Sequence, residues 1–274
     1  MKPGRRLAIG LMSLLPWLTA MAEQSMTQLT VEQKMGGQRV ITFVAVGDGF
    51  VASLTEDRQL DWLFHSDRKE LWILDHDLRV AQMVNRTEAR IIADRLASAV
   101  AEFKASIASL PDDQRILSWK RFEQLFETAN RGRIGSVDEF VPENRGEDFA
   151  GIHCEWHTMI AHLREGERVV GKACLAETEA IANGPTLAAL FSEVTMFSAT
   201  VKNADTGPVN PLDANDPVAL AAGLNMIPLK VIPNLDLYSP DVGMEVISVA
   251  EKACARGNYR IPDEYQRKRL SDSF

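Results

Sequence analysis

The order of strand-like and helix-like segments most constrains the fold of this chain. Short β-branched and apolar segments, separated by turns, fill residues 38–84. The pattern then changes to two amphipathic helices, expected over Asn85–Ser109 and Asp112–Asn130, and strand-like segments return after Gly132. Strands, then helices, then strands with further helical insertions predict an α+β fold dominated by antiparallel sheet.

The first helix has a defined start and an apolar stripe. Asn85 followed by Glu88 has the spacing of an N-cap with an acidic partner, and Pro111 ends the pattern. A third helix is expected over Thr186–Val201. Such stripes usually face the core, and they can also line a cavity for an acyl chain or another apolar ligand. The residues concerned are Ile92, Leu96, Val100 and Phe103 in the first helix, and Leu190, Val194 and Phe197 in the third.

The first twenty-two residues have the composition of a secretory signal peptide. Basic residues at Lys2, Arg5 and Arg6 precede an apolar stretch, and Ala20-Met21-Ala22 forms a small-x-small cleavage site. The apolar stretch is shorter than the ~20 residues of a membrane span. We therefore expect cleavage after Ala22, a periplasmic location, and a single α+β domain over residues 23–274.

The charge of the chain argues against two classes of partner. The formal net charge is −8, and the predicted signal peptide holds basic residues but no acidic ones, so the remainder is more acidic still. Nucleic acids and anionic membrane surfaces bind clusters of Lys and Arg. No later apolar run is long enough to cross a bilayer. We expect no nucleic-acid partner and no membrane-spanning segment.

Three cysteines, Cys154, Cys174 and Cys254, allow three pairings. An odd number in an exported protein predicts one disulfide and one leftover thiol. Cys154–Cys174 is favoured because the intervening segment has the pattern of a hairpin. A two-residue turn at Glu165-Gly166 would place Cys154 opposite Glu177, so direct pairing requires a longer loop or a bulge.

Catalytic and metal-binding motifs are scarce. The sequence contains no G-x-S-x-G, no S-x-x-K and no phosphate-binding glycine loop, so we predict no catalytic residue and no cofactor. The alternative is a metal-dependent hydrolase. His153, Glu155 and His157 alternate on one expected strand, where adjacent side chains could share a zinc ion. Three ligands on one strand make an awkward tetrahedron, which favours an ordinary polar strand face.

Two acidic segments are better explained by turns and loops. Asp75-His76-Asp77 can bind a cation, but an aspartate in a turn usually accepts a hydrogen bond from its own backbone. The polar loop Asn203–Pro217 contains Asp205, Asp213 and Asp216. These lack the alternation and the terminal glutamate of a calcium loop.

Several segments together resemble an uncharacterised family of bacterial exported proteins, a domain of unknown function. The strand Glu70–Asp75 and the helix start Pro111–Arg115 are similar to segments of that family. So are the hairpin motifs Gly151–Cys154 and Cys174–Ala176, and the closing segment Tyr259–Tyr265. The Asn203–Pro217 loop and Cys254 depart from the family pattern.

This resemblance implies a curved antiparallel sheet, a half-barrel wrapped around two or three helices. It is the shape of periplasmic lipoprotein carriers of the LolA/LolB type. It implies no catalytic residues. We therefore expect a non-catalytic periplasmic protein that binds an apolar or lipid-like ligand, or an envelope protein, at its concave face. Leu96, Val100 and Phe103 are the predicted ligand-binding residues.

Overall fold

The structure, a computed structural model, describes residues 25–35, 37–129, 137–163, 166–202, 217–234, 243–254 and 259–273. The predicted signal peptide, residues 203–216 of the polar loop and their three aspartates lie outside these ranges.

Strands, helices and further strands follow one another as the sequence predicted. The strands are β1 (Ser25–Met35), β2 (Gln38–Gly47), β3 (Phe50–Leu54), β4 (Leu60–His65), β5 (Glu70–Asp75), β6 (Val80–Val84), β7 (Glu139–Phe149), β8 (Ile152–Leu163), β9 (Gly166–Glu177), β10 (Met226–Pro233), β11 (Gly243–Ala253) and β12 (Gln266–Arg269). The helices are α1 (Arg86–Ile107), α2 (Asp112–Ala129), α3 (Gly184–Lys202) and α4 (Pro217–Gly223), with 3₁₀ turns at Thr178–Ala180 and Leu270–Ser273.

All described strands belong to one sheet in the order β12-β6-β5-β4-β3-β2-β1-β11-β10-β9-β8-β7. Every pairing is antiparallel except that of β12 with β6. The α+β class with a mostly antiparallel sheet is thus confirmed. The sheet is open and uncurled, with β12 and β7 at its ends, so the implied half-barrel curvature is not observed.

The central strand β1 was not expected from the sequence. It pairs with β2 on one side and with β11 on the other, so it joins the N-terminal strands to the C-terminal ones. The sequence pattern also favours a terminal strand at Arg256–Ile261; in its described part, residues 259–261 form no strand, and residues 256–258 lie outside the described ranges. The last strand is instead β12, which begins at Gln266 and runs parallel to β6.

Both faces of the sheet are covered, and alternate residues of one strand belong to different cores. Val51 packs in a cluster that contains Leu187 and Leu190 of α3. Its neighbour Ala52 packs in a second cluster with Ile261 of the C-terminal segment. One face therefore carries the helix α3, and the other carries the chain that leads into β12.

Helix α1 begins where the sequence predicted. The Asn85 side chain accepts a hydrogen bond from the Glu88 backbone N–H at 3.0 Å, a cap that typically contributes about 1 kcal/mol. The Glu88 carboxylate is buried, and it accepts a hydrogen bond from the Ser271 backbone N–H at 3.1 Å. The acidic partner in the cap motif thus anchors the C-terminal 3₁₀ turn to α1.

Three helices pack against the sheet, α1, α3 and α4, and α4 contacts β10. Helix α3 contacts α1, β2 and β3, and α1 also contacts β6. Helix α2 meets α1 through an aromatic cluster, in which the Phe103 and Phe122 rings stack with centroids 4.4 Å apart. No described helix has the length and apolar character of a membrane span.

Cys154 and Cys174 lie within disulfide distance, with Cα atoms 5.5 Å apart, and both are buried. A bulge is present, because Ile160 lies opposite Val169 whereas Met159 lies opposite Gly171, but it does not place the cysteines directly opposite each other. Cys174 lies opposite Trp156, so the two cysteines lie on adjacent strands, two residues out of register. Cys254 is free and half-buried beside the second core cluster.

We expect the Cys154→Ala/Cys174→Ala double variant to lose about 3 kcal/mol of unfolding free energy, because the cross-link restricts the unfolded chain. Urea denaturation monitored by tryptophan fluorescence measures this loss. The control is Cys254→Ala, which removes a thiol but no cross-link. Alkylation of the unreduced, denatured wild-type protein should label Cys254 alone. Labelling of all three cysteines would contradict the assignment.

Candidate functional site

An apolar cavity of about 590 Å³ lies between α1, α3 and the strands β4, β5 and β6. Its wall is almost entirely apolar. The apolar lining residues are Phe64, Leu71, Ile73, Val84, Ile92, Leu96, Ala99, Leu190, Val194, Phe197, Val201 and Leu270. The Ile73 side chain is 42% exposed, so the cavity is open to solvent on one side. Its volume lies within the range of about 300–1,000 Å³ that small-molecule sites occupy.

The structure separates the three residues predicted to bind a ligand. Leu96 lies on the cavity wall. Val100, one turn further along α1, is 1% exposed and does not line the cavity. Phe103 contacts Trp119 and Phe122 of α2. Helical spacing placed all three on one stripe, but different parts of the protein cover successive turns of that stripe.

The other apolar stripe noted in the sequence meets Leu96 across the cavity. Leu190, Val194 and Phe197 of α3 line the wall opposite α1. The contribution of the sheet was not recognised from the sequence, although the strand at Leu71–Leu74 is apolar on both faces. One of those faces supplies Leu71 and Ile73 to the cavity wall.

Charged residues also line this cavity. The Glu193 carboxylate of α3 accepts hydrogen bonds from Nε and Nη2 of Arg86, the first residue of α1, each at 2.7 Å. The Nζ of Lys69, in the turn between β4 and β5, lies 3.4 Å from the same carboxylate. The hydrogen bonds from Arg86 hold the pKa of Glu193 below its usual range, and those bonds raise the pKa of Arg86 in turn. These ion pairs join both helices to the sheet.

The C-terminal 3₁₀ turn closes another part of the cavity with Leu270. Two α1 side chains hold this turn at Ser271. Glu88 accepts a hydrogen bond from the Ser271 N–H, and Arg95 donates one to the Ser271 carbonyl. Because Glu88 and Arg95 are two helical turns apart on one face of α1, they hold both backbone groups of a single residue.

The proposed zinc ligands do not converge. His153 is exposed, and its Nδ1 lies 2.8 Å from Asp148 Oδ1. The His157 side chain is buried against Phe140, with its Nδ1 2.9 Å from the backbone oxygen of Glu155. Among the residues that the structure describes, no three His, Cys, Asp or Glu side chains are arranged to hold a metal ion.

The Asp75-His76-Asp77 segment forms a turn. Asp75 Oδ1 accepts a hydrogen bond from the Leu78 N–H at 2.9 Å, as expected for an aspartate in a turn. His76 Nδ1 lies 2.6 Å from the Tyr265 hydroxyl, so this histidine helps to fix the C-terminal segment on the sheet. Burial raises the pKa of the nearby Asp61.

Comparison of the chain with protein families, curated proteins and solved structures finds no match. The resemblance to the exported family therefore stays a prediction. The candidate site rests on its own geometry.

The pairing of Glu193 makes a pH-dependent contribution to stability. Because its pKa is lowered by folding, this contribution is complete above the usual pKa of glutamate and disappears as the pH falls through the lowered value. We expect Glu193→Gln to lower the melting temperature near neutral pH, with the difference from wild type shrinking in acid. Calorimetry across this pH range measures it. The control is Glu251→Gln, an exposed glutamate on β11; a pH-independent difference for Glu193→Gln would contradict the prediction.

Proposed function

We propose that this protein is a non-catalytic, exported binding protein that holds an apolar, lipid-like ligand in the cavity between α1, α3 and the sheet. The observation that carries the proposal is the cavity itself. Both helices pack on this face of the sheet, yet they leave about 590 Å³ between them. Exposed apolar surface costs about 25 cal/mol per Å² relative to burial, and a ligand that covers the wall recovers that free energy.

The chemistry of the wall limits the class of ligand. Among the described residues, twelve apolar side chains from the two helices, three strands and the C-terminal turn line the space. Polar ligands would lose hydrogen bonds to water there without replacement, at a cost of about 1–3 kcal/mol for each group. The wall therefore favours an alkyl chain or a similarly apolar group.

The proposal places this binding role in an oxidising compartment. The Cys154–Cys174 pair fits an exported protein, because disulfides persist in the periplasm and are rare in the cytosol. Periplasmic location, cleavage after Ala22 and kinship with LolA/LolB-type carriers are parts of the proposal. They rest on the sequence pattern of residues 1–22 and on the family resemblance.

Filling the cavity tests the proposal directly. Ala99 is an exposed helical residue on the cavity wall, so Ala99→Trp should occupy the space and lower the affinity for a fluorescent fatty-acid analogue at least tenfold. Ala101→Trp is the matched control. This alanine is exposed on the same helix but does not line the cavity, and its variant should bind like wild type.

Fluorescence titration measures both affinities, and circular dichroism establishes that both variants fold. Equal affinity in the two variants would contradict the proposal, as would failure of the wild-type protein to bind the analogue. Native mass spectrometry of gently purified protein identifies any ligand that is already bound.

A further inference from the structure

The charged side chains of the cavity do not balance. Among the described residues that line it, three are basic, Lys69, Arg86 and Arg95, and one, Glu193, is acidic. The Lys69 side chain is 57% exposed and that of Arg86 is 48% exposed, whereas Glu193 is 13% exposed between them. The cations therefore lie at the opening of the cavity, toward solvent, with the carboxylate set further in.

One carboxylate shared by two cations leaves a net positive charge at this opening. The N-terminus of α1 starts here at Arg86, and its backbone dipole contributes in the same direction. This local positive charge contrasts with the net charge of −8 for the whole chain.

An apolar wall beside a charged opening matches an amphiphilic ligand, which has an apolar chain and a charged head group. A chain in the cavity leaves its polar head at the opening, because most of the described residues that line the wall are apolar. We infer that the ligand is a single-chain amphiphile with an anionic head group, a carboxylate or a phosphate, that binds beside Lys69 and Arg86. This inference rests on the proposed function and specifies its ligand class.

Lys69 and Arg86 have different roles in this arrangement. Arg86 is held by two 2.7 Å hydrogen bonds to Glu193 and keeps α1 and α3 together. Lys69 makes one longer contact of 3.4 Å and has the more exposed side chain. Its long, flexible stem lets the ammonium group turn to a ligand head without breaking the Arg86–Glu193 pair. Lys69 is therefore the side chain that we expect to select the head group.

Four probes with the same alkyl chain and different heads test the inference. They are dodecanoate and dodecyl phosphate, which are anionic, dodecanol, which is neutral, and dodecyltrimethylammonium, which is cationic. Isothermal titration calorimetry with the full-length protein, below the micelle concentration of each probe, measures the affinities. Partly exposed ion pairs are weak, so we expect the anionic probes to bind about three- to tenfold more tightly than dodecanol. The better of the two anions identifies the head group.

Two substitutions with opposite expected effects on dodecanoate affinity distinguish selection of the head-group charge from a general loss of structure. Lys69→Gln should weaken dodecanoate binding about threefold and leave dodecanol binding unchanged. Glu193→Gln removes the competing carboxylate and should strengthen dodecanoate binding. The matched control is Lys172→Gln, because Lys172 is an exposed lysine, paired with Glu143 at 2.7 Å, outside the cavity.

The outcomes distinguish this inference from the function on which it rests. Equal affinity for all four probes, or tightest binding of the cationic probe, would overturn the inference while leaving the proposed function intact. Absence of binding by every probe would remove both. A Lys69→Gln variant that binds dodecanoate and dodecanol with the wild-type ratio would also overturn the role of Lys69.

Discussion

The pairing of β1 with two partners is the constraint on which the rest of the structure depends. Its hydrogen bonds to β2 and β11 unite strands from the two ends of the chain in one sheet. Helix α1 follows the N-terminal strands and helix α3 lies within the C-terminal part. The continuous sheet brings both helices to one face, where they contact each other. The candidate cavity therefore exists only when the two halves are joined, since its wall combines β4–β6 and α1 with α3.

The local sequence pattern was sufficient to predict the helices and strands that are determined by residues close together in the chain. The Asn85 cap and the helical stripe predicted α1 close to its observed bounds, and the strand-like pattern of residues 38–84 predicted the strands β2 to β6. The strand β1 was missed because its buried residues include polar ones. Thr27 donates to the Ala182 carbonyl at 2.7 Å, and Gln28 accepts from Lys252 at 2.8 Å. Those partners lie more than 150 residues away, so hydropathy alone could not show that these side chains are buried.

The candidate site, like the fold, could be predicted from the sequence only where it depends on local patterns. Leu96 and the α3 stripe were identified as surfaces that could line a cavity, because helical spacing fixes which residues share a face. Spacing cannot show what covers each turn of that face. Phe103 lies on the Leu96 stripe, yet the α2 aromatics cover it. The charged opening depends on contacts between Arg86 and Glu193, which are distant in sequence, and no local pattern indicates that they meet.

The position of the C-terminal turn links the shape of the cavity to the burial of a charged residue. Glu88 is 1% exposed, and removing a carboxylate from water is costly unless hydrogen bonds replace its hydration. The Ser271 N–H supplies such a bond, and Arg95 holds the carbonyl of the same residue. Leu270 beside it lines the cavity. Displacing the turn would therefore leave Glu88 without this hydrogen bond and remove part of the apolar wall at once. The same hydrogen bonds that compensate the buried carboxylate thus keep the cavity closed on this side.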